Sequence, residues 1–187
     1  MNVRNFFDLP PLTTRSYNPT TDAVAVKTNL EACGPYIEGQ DNPERLAELV
    51  GRLPTAVLVV VAQDPLMHGN EIYGNANVTD GPPALIGRFS LSPLIRDPKA
   101  RFEVARVLYN DIFAELRRRG APWAEELIDI PRQDVMGHRQ GFLSGLGFEP
   151  EWDIRSMVRP IWDEHGNPMP DIPPLNPAGD PRNLDVL

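Results

Sequence analysis

Side chains that often carry chemistry are few in this sequence and are widely separated. The three histidines, His68, His138 and His165, follow no metal-ligand spacing, so we expect no metal site. A single cysteine, Cys33, excludes an internal disulfide and a cysteine-based zinc site. No glycine-rich phosphate loop, nucleophile elbow or catalytic-triad pattern is present. The remaining candidates are carboxylates, hydroxyls and basic side chains on strands and turns.

Composition restricts the partners that the chain can have. The 187 residues suffice for one domain plus tails, and 26 acidic against 18 basic residues argue against binding to nucleic acid through phosphates. The longest apolar run, residues 56–62, is too short to span a bilayer. The N-terminal residues lack the apolar segment of a signal peptide. We therefore expect a soluble cytoplasmic protein with no membrane partner.

One strand and one long helix organise the candidate residues. Residues 84–93 form an apolar strand that ends at Pro93. Asp97 is a suitable N-cap, Pro98 suits the first helical position and Gly120 suits the left-handed position after the helix. Apolar residues recur between them at three- and four-residue spacing: Phe102, Ala105, Leu108, Tyr109, Ile112, Phe113 and Leu116. This spacing predicts a helix with one face packed on a sheet, burying Leu108, Ile112 and Leu116.

The other elements follow from the same kinds of signal, and together they predict an α+β fold with a mixed, mostly antiparallel sheet and flanking helices. A helix capped by Asp22 or Thr21 should run to Cys33, and Gly147 should end a later helix. The predicted order is a strand at 13–17, that helix, a helix at 43–50, strands at 56–62 and 71–79 with a hairpin turn at 80–83, the central strand and long helix, a strand at 123–130, a helix at 132–146 and a strand or strand pair at 148–161.

Both ends of the chain differ in composition from the domain at residues 13–162. Residues 1–12 form an extended arm with Phe6 and Phe7, and residues 163–187 form a proline-rich tail. A segment so rich in proline cannot build a core of its own. We expect most contacts of this tail, and of the N-terminal arm, to be made with a neighbouring chain. The alternative is that the tail folds back and covers a hydrophobic groove on its own domain.

The order of elements resembles that of the GNAT superfamily of N-acetyltransferases over residues 13–161. Leu91-Ser92-Pro93 is similar to the end of that family's fourth strand, and residues 116–120, LRRRG, are similar to the end of its long helix. Residues 142–161, FLSGLGFEPEWDIRSMVRPI, are similar to its helix ending in Leu-Gly-Phe and the strand that follows. The resemblance implies a GNAT-like sheet and, if the protein is active, acetyl-CoA as its cofactor.

The family binds the acetyl-CoA pyrophosphate at the start of its long helix, through a Q/R-x-x-G-x-G/A motif. Here no glycine lies between Gly87 and Gly120, and alignment on the helix face puts Glu103 at the first glycine. A side chain and a negative charge both oppose phosphate binding, so we expect weak or absent acetyl-CoA binding. If the cofactor binds, the resemblance implies contact with Arg88, Ser90, Ser92, Arg96, Lys99 and Arg101. For the last three, a solvated basic turn is the alternative that we favour.

The resemblance also indicates where acid–base groups should lie. Many family members place a proton-donating tyrosine four residues before the Gly-Phe, where this chain has Leu143 beside Ser144, a poor acid. The family's base is a carboxylate on the strands that line the cleft, which leaves Asp129 or Glu71. A carboxylate that faces solvent explains each of them equally well.

Two functions remain after this comparison. The chain is either an acetyl-CoA-dependent N-acetyltransferase or a GNAT-fold subunit that has lost its chemistry and serves docking or assembly. The degenerate phosphate loop and the two extended ends favour the second function. Protein partners would bind through residues 1–12 and 163–187 within an oligomeric assembly, and a bacteriophage virion, in which GNAT-like domains occur, is one such assembly.

Overall fold

A computed structural model describes residues 9–33, 56–62, 71–78, 84–127, 143–150 and 156–176 of the chain. The helix predicted at 43–50, the hairpin turn at 80–83, most of the helix at 132–146 and most of the N-terminal arm lie outside the described residues. None of the described helices is long and apolar enough to cross a membrane.

The core of the fold is a mixed seven-stranded sheet, as the sequence predicts. The strands are β1 (Leu12–Ser16), β2 (Ala56–Ala62), β3 (Ile72–Val78), β4 (Ala84–Leu91), β5 (Trp123–Leu127), β6 (Glu149–Pro150) and β7 (Ser156–Pro160). Their order across the sheet is β1-β2-β3-β4-β5-β7-β6. Among the described strands, β4 and β5 alone pair in parallel, because a helix connects them and the chain then runs in the same direction again.

The first helix, α1 (Pro19–Cys33), begins earlier than the sequence indicates. Its N-cap is Asn18, whose side-chain oxygen accepts a hydrogen bond from Thr20 N at 3.0 Å, so neither Asp22 nor Thr21 is the cap. Asp22 is instead fully buried and forms an ion pair with Arg15 of β1. The prediction failed because an acidic residue in the first turn and a cap residue look alike in sequence.

The long helix, α2 (Pro98–Arg118), agrees with its prediction at both ends. Asp97 caps it, Pro98 occupies the first position, and Gly120 follows it with a φ of +72°. Every residue of the predicted apolar stripe is buried, and Leu108, Ile112 and Leu116 are fully inaccessible to solvent. The helix contacts β1 to β5, which makes it the main cover of one face of the sheet.

The first half of the C-terminal tail lies along α2 of its own chain. Arg117 Nη1 donates to Met169 O at 2.9 Å, and Asn110 both donates to Ile172 O at 3.1 Å and accepts from Ile172 N at 2.8 Å. Leu175 N donates to Glu103 Oε1 at 2.9 Å. We call residues 169–175 the strap. Ile172 and Leu175 are buried within the same core cluster as the apolar face of α2.

For residues 169–175 the structure thus shows the second of the two predicted arrangements, in which the tail covers its own domain. A basic side chain of β7 adds to this contact, since Arg159 Nη2 donates to Pro170 O at 2.7 Å. Residues 177–187 lie outside the described part of the chain. Contact of the tail with a protein partner therefore stays a prediction.

Candidate functional site

The candidate site lies where β4 runs past its last described pair with β5 and leads into α2. The parallel ladder joins Ala84 to Ala124 and ends at the pair Ile86 and Glu126. β4 continues to Leu91, and α2 begins seven residues later at Pro98. The carboxyl end of a parallel strand and the start of the helix that follows it are a common place for ligands in sheets covered by helices.

A bulge interrupts β4 at this point. Asn77 pairs with Gly87 and Asn75 pairs with Ser90, so a step of two residues along β3 corresponds to a step of three residues along β4. A bulge re-aims the strand and takes backbone groups out of the regular ladder. The bulge falls at Arg88 and Phe89, while Ser90 and Leu91 pair regularly with Asn75 and Gly74 of β3.

The two predicted serines use their side chains within the protein. Ser90 is buried, and its hydroxyl donates to Asn75 Oδ1 at 2.9 Å, the same oxygen that accepts from Asn29 of α1 at 3.3 Å. Ser92 Oγ accepts from Leu94 N at 3.3 Å and shapes the turn after β4. Both serines would therefore contact a cofactor through their backbone.

Asp97 and Pro98 determine how the backbone at the start of α2 is bonded. Pro98 has no N–H, Ala100 N donates to Asp97 Oδ1 at 2.8 Å, and Arg101 N donates to Asp97 O at 2.9 Å. The Asp97 carboxylate thus uses one backbone donor at the start of α2.

Glu103 lies within α2. The helix begins at Pro98, so Glu103 lies in its second turn and not at its start. Its carboxylate forms an ion pair with Arg106 at 2.8 Å and accepts from the strap. The negative charge nearest the helix start is that of Asp97, not that of Glu103.

The predicted basic residues differ in what they can do. Arg96 and Lys99 are exposed and close to the helix start. Arg101 donates to Ile95 O at 3.2 Å and therefore supports the turn. The side chain of Arg88 lies outside the described residues.

The acid–base candidates are only partly described. Ser144 is exposed on a helical turn at residues 143–145, while Leu143 beside it is fully buried in the core. Glu71 is exposed and accepts a hydrogen bond from Tyr73 at 2.5 Å. Asp129 lies outside the described residues. Within the described ranges, no three histidine, cysteine or carboxylate side chains lie close enough to hold a metal ion.

Sequence reasoning missed one buried carboxylate, Glu126, at the last pair of the β4–β5 ladder. It is 2% exposed, and Tyr109 of α2 donates a hydrogen bond to it. The Tyr109 ring also packs against Phe89 of β4, with 5.1 Å between ring centroids. Tyr109 thus contacts both strands near the last described pair between them. The adjacent acids Glu125 and Glu126 were a usable signal, because neighbouring strand residues point to opposite faces of a sheet.

Comparison with known proteins gives matches in structure only. No family model matches the sequence, and no curated protein matches it. An acetyltransferase of the GNAT family from Staphylococcus aureus Mu50 has a TM-score of 0.59 at 12% identity, covering 80% of this chain and 99% of its own. Aminoglycoside 6'-acetyltransferase type Ii has a TM-score of 0.58 at 15% identity, covering 81% and 98%.

A third similar structure is the ribosomal-protein-S18-alanine N-acetyltransferase from Escherichia coli. It has a TM-score of 0.55 at 17% identity and covers 81% of this chain and 94% of its own. At such low identity the likeness concerns the fold and not the substrate. This chain has the fold of the GNAT acetyltransferases.

Proposed function

We propose that the protein is an N-acetyltransferase that moves an acetyl group from a pantetheine thioester, such as acetyl-CoA, to an amine. One observation carries the proposal: β4 extends past the last described β4–β5 pair, Ile86 and Glu126, through a bulge toward the start of α2. A pantetheine arm contains amide groups that can pair with strand backbone in the way that a peptide does. In this proposal the arm lies along residues 88–92.

The reaction needs two proton transfers. The amine nitrogen attacks the thioester carbonyl carbon, a C–N bond forms, and the C–S bond breaks to release a thiolate. The amine loses one proton to a base, and the thiolate gains one. We assign Asp129 as the base, and Ser144 is the candidate proton donor near the thiolate, both from the resemblance of the sequence.

The second candidate is a docking or assembly subunit without chemistry, including a virion component. The aspartate-capped start of α2 favours it, because the Asp97 carboxylate accepts from Ala100 N, a backbone donor that a phosphate would otherwise use. The ordered first half of the tail no longer supports it, since α2 and β7 of the same chain hold those residues. The acetyltransferase is therefore our first candidate.

Calorimetry and thiol release distinguish the two functions. The full chain is titrated with acetyl-CoA and with acetyl-pantetheine, and thiol release is then measured with a panel of primary amines. Binding of either thioester in the micromolar range, about −8 kcal/mol, supports the enzyme. No binding of either thioester supports the assembly role.

A pair of variants tests the base. Asp129→Asn should lower kcat by about 10²–10⁴ while leaving thioester binding unchanged, because only proton abstraction is lost. Glu125→Gln on β5 is the matched control and should keep full activity. Equal activity of the two variants would remove Asp129 from the mechanism.

A further inference from the structure

We propose that residues 177–187 continue the strap onto the basic side chains at the start of α2, where they compete with the phosphates of an acyl donor. The partner of this surface is thus a segment of the same chain, and the contact is autoinhibitory. The competition rests on the proposed function, whereas the contact of the tail with α2 does not.

The first argument is the direction of the strap. Its contacts begin at Arg117, near the end of α2, and they finish where Leu175 N donates to Glu103 Oε1, in the second turn of the helix. The strap therefore runs against the direction of α2 and ends beside its first turns. Residues 177–187 follow from this end of the helix, and not from the opposite one.

The second argument is distance. Lys99 lies four residues before Glu103, about 6 Å along the axis and on the same side of the helix. Asp180 follows Leu175 by five residues, which in an extended chain span up to about 16 Å. A carboxylate of the tail can therefore reach the Lys99 ammonium group while every contact of the strap stays in place.

The third argument is the charge of α2 at this end. Arg96 and Lys99 are exposed, and neither forms an ion pair with another described residue. Arg101 adds a third positive charge, and Asp97 is the one carboxylate among them. The start of α2 therefore has an excess of positive charge that the described part of the chain leaves unpaired.

The tail has the complementary charge. Residues 177–187 contain two acidic residues, Asp180 and Asp185, and one basic residue, Arg182. A single exposed ion pair is weak, but a tethered segment acts at a high effective concentration, so weak pairs suffice to hold it. The phosphates of a donor need the same cations, and the tail and the phosphates therefore exclude each other.

Zero-length cross-linking of the full chain tests the contact, because a carbodiimide joins a lysine amine to a carboxylate only when the two groups meet. The sequence has two lysines: Lys99, and Lys27 on α1, which is exposed and serves as the internal control. We expect mass spectrometry to find cross-links from Lys99 to Asp180 or Asp185, and none from Lys27 to either. A mixture of unlabelled and isotope-labelled chains shows whether the link lies within one chain. Absence of the Lys99 link, or a link formed only between chains, would overturn the inference.

Calorimetry on the full chain tests the competition. Asp180→Asn combined with Asp185→Asn should strengthen acetyl-CoA binding by about threefold or more, and should leave binding of acetyl-pantetheine, which has no phosphate, unchanged. Glu164→Gln removes an exposed carboxylate that precedes the strap, and as the control it should change neither affinity. Saturating acetyl-CoA should also lower the yield of the Lys99 cross-link.

The outcomes separate this inference from the proposed function. If the double variant binds acetyl-CoA no more tightly than the unaltered chain does, the tail does not compete and the inference is wrong, while the proposed function stands. If neither thioester binds, the proposed function fails and the competition fails with it. The cross-link is independent of the donor, so it decides the contact of the tail with α2 in either case.

Discussion

Replacing Asn110 by alanine tests whether the strap is part of the folded domain. The Asn110 side chain makes both a donor and an acceptor contact with the backbone of Ile172, at 3.1 and 2.8 Å. The paired groups are partly buried, so the alanine variant leaves the Ile172 N–H and C=O without these partners. No other side chain among the described residues binds both backbone groups of one strap residue.

The expected loss follows from these two hydrogen bonds. A typical intramolecular hydrogen bond contributes about 0.5–1.5 kcal/mol net, and a buried group left unpaired costs about 1–3 kcal/mol. We therefore expect Asn110→Ala to lower the free energy of unfolding by about 1–3 kcal/mol. For a domain of this size, 1 kcal/mol corresponds to a change in Tm of roughly 2–4 °C.

Urea unfolding followed by circular dichroism and a thermal melt measure this loss. Lys99→Ala, an exposed position near the start of the same helix, is the control and should change the free energy by less than about 0.5 kcal/mol. Limited proteolysis of the Asn110 variant should cut the tail faster than in the unaltered protein. If the Asn110 variant has the same free energy of unfolding as the Lys99 control, and its tail is cut no faster than in the unaltered protein, the hydrogen bonds of the strap do not stabilise the domain.

Three further predictions concern the core, the first helix and one turn. Ile112→Ala removes a fully buried side chain and should cost about 2–5 kcal/mol in urea unfolding, and an unchanged Tm would refute its placement. Burial alone would raise the pKa of Asp22, but hydrogen bonds led by that from Arg15 outweigh it and hold the pKa below its ordinary value of 3.8. Asp22 therefore stabilises the fold at pH values above 3.8, and this stabilisation is lost as the pH falls through the pKa of Asp22 in the folded protein. Asp22→Asn should therefore flatten the acid limb of a curve of stability against pH. An unchanged acid limb would contradict this. Gly147→Ala should cost about 1–2 kcal/mol because the φ there is +82°, while Gly145→Ala, with open space around it, should be neutral or stabilising in the same melt.

The long helix could be predicted because all its signals are local. The cap Asp97, the proline beside it and the closing Gly120 lie within or next to the helix, and the apolar stripe repeats along it. The mixed sheet and the GNAT-like order of strands and helices could be predicted in the same way, because these elements are also marked by local signals along the sequence. Where two residues in one turn were both plausible caps, local signals could not decide, and Asn18 was missed.

The strap and the candidate site were harder to predict because their contacts join distant parts of the chain. The strap touches α2 across separations of 52 to 72 residues, and no local pattern marks Asn110 or Glu103 as its partners. The bulge of β4 depends on how two strands align, which the sequence of either strand alone does not determine. The position of Glu126 against Tyr109 likewise follows from how helix and sheet pack.

The strap and α2 contact each other in a regular register. The contacts recur every seven residues on the helix, at Glu103, Asn110 and Arg117, and every three residues on the strap. Two helical turns rise about 10.5 Å, and three extended residues rise about 9–10 Å, so the two repeats match. Since most of these bonds go to backbone atoms, many side chains would serve in the strap. Inserting or deleting one residue would move every later contact out of step, so this part of the tail should tolerate changes of sequence far better than changes of length.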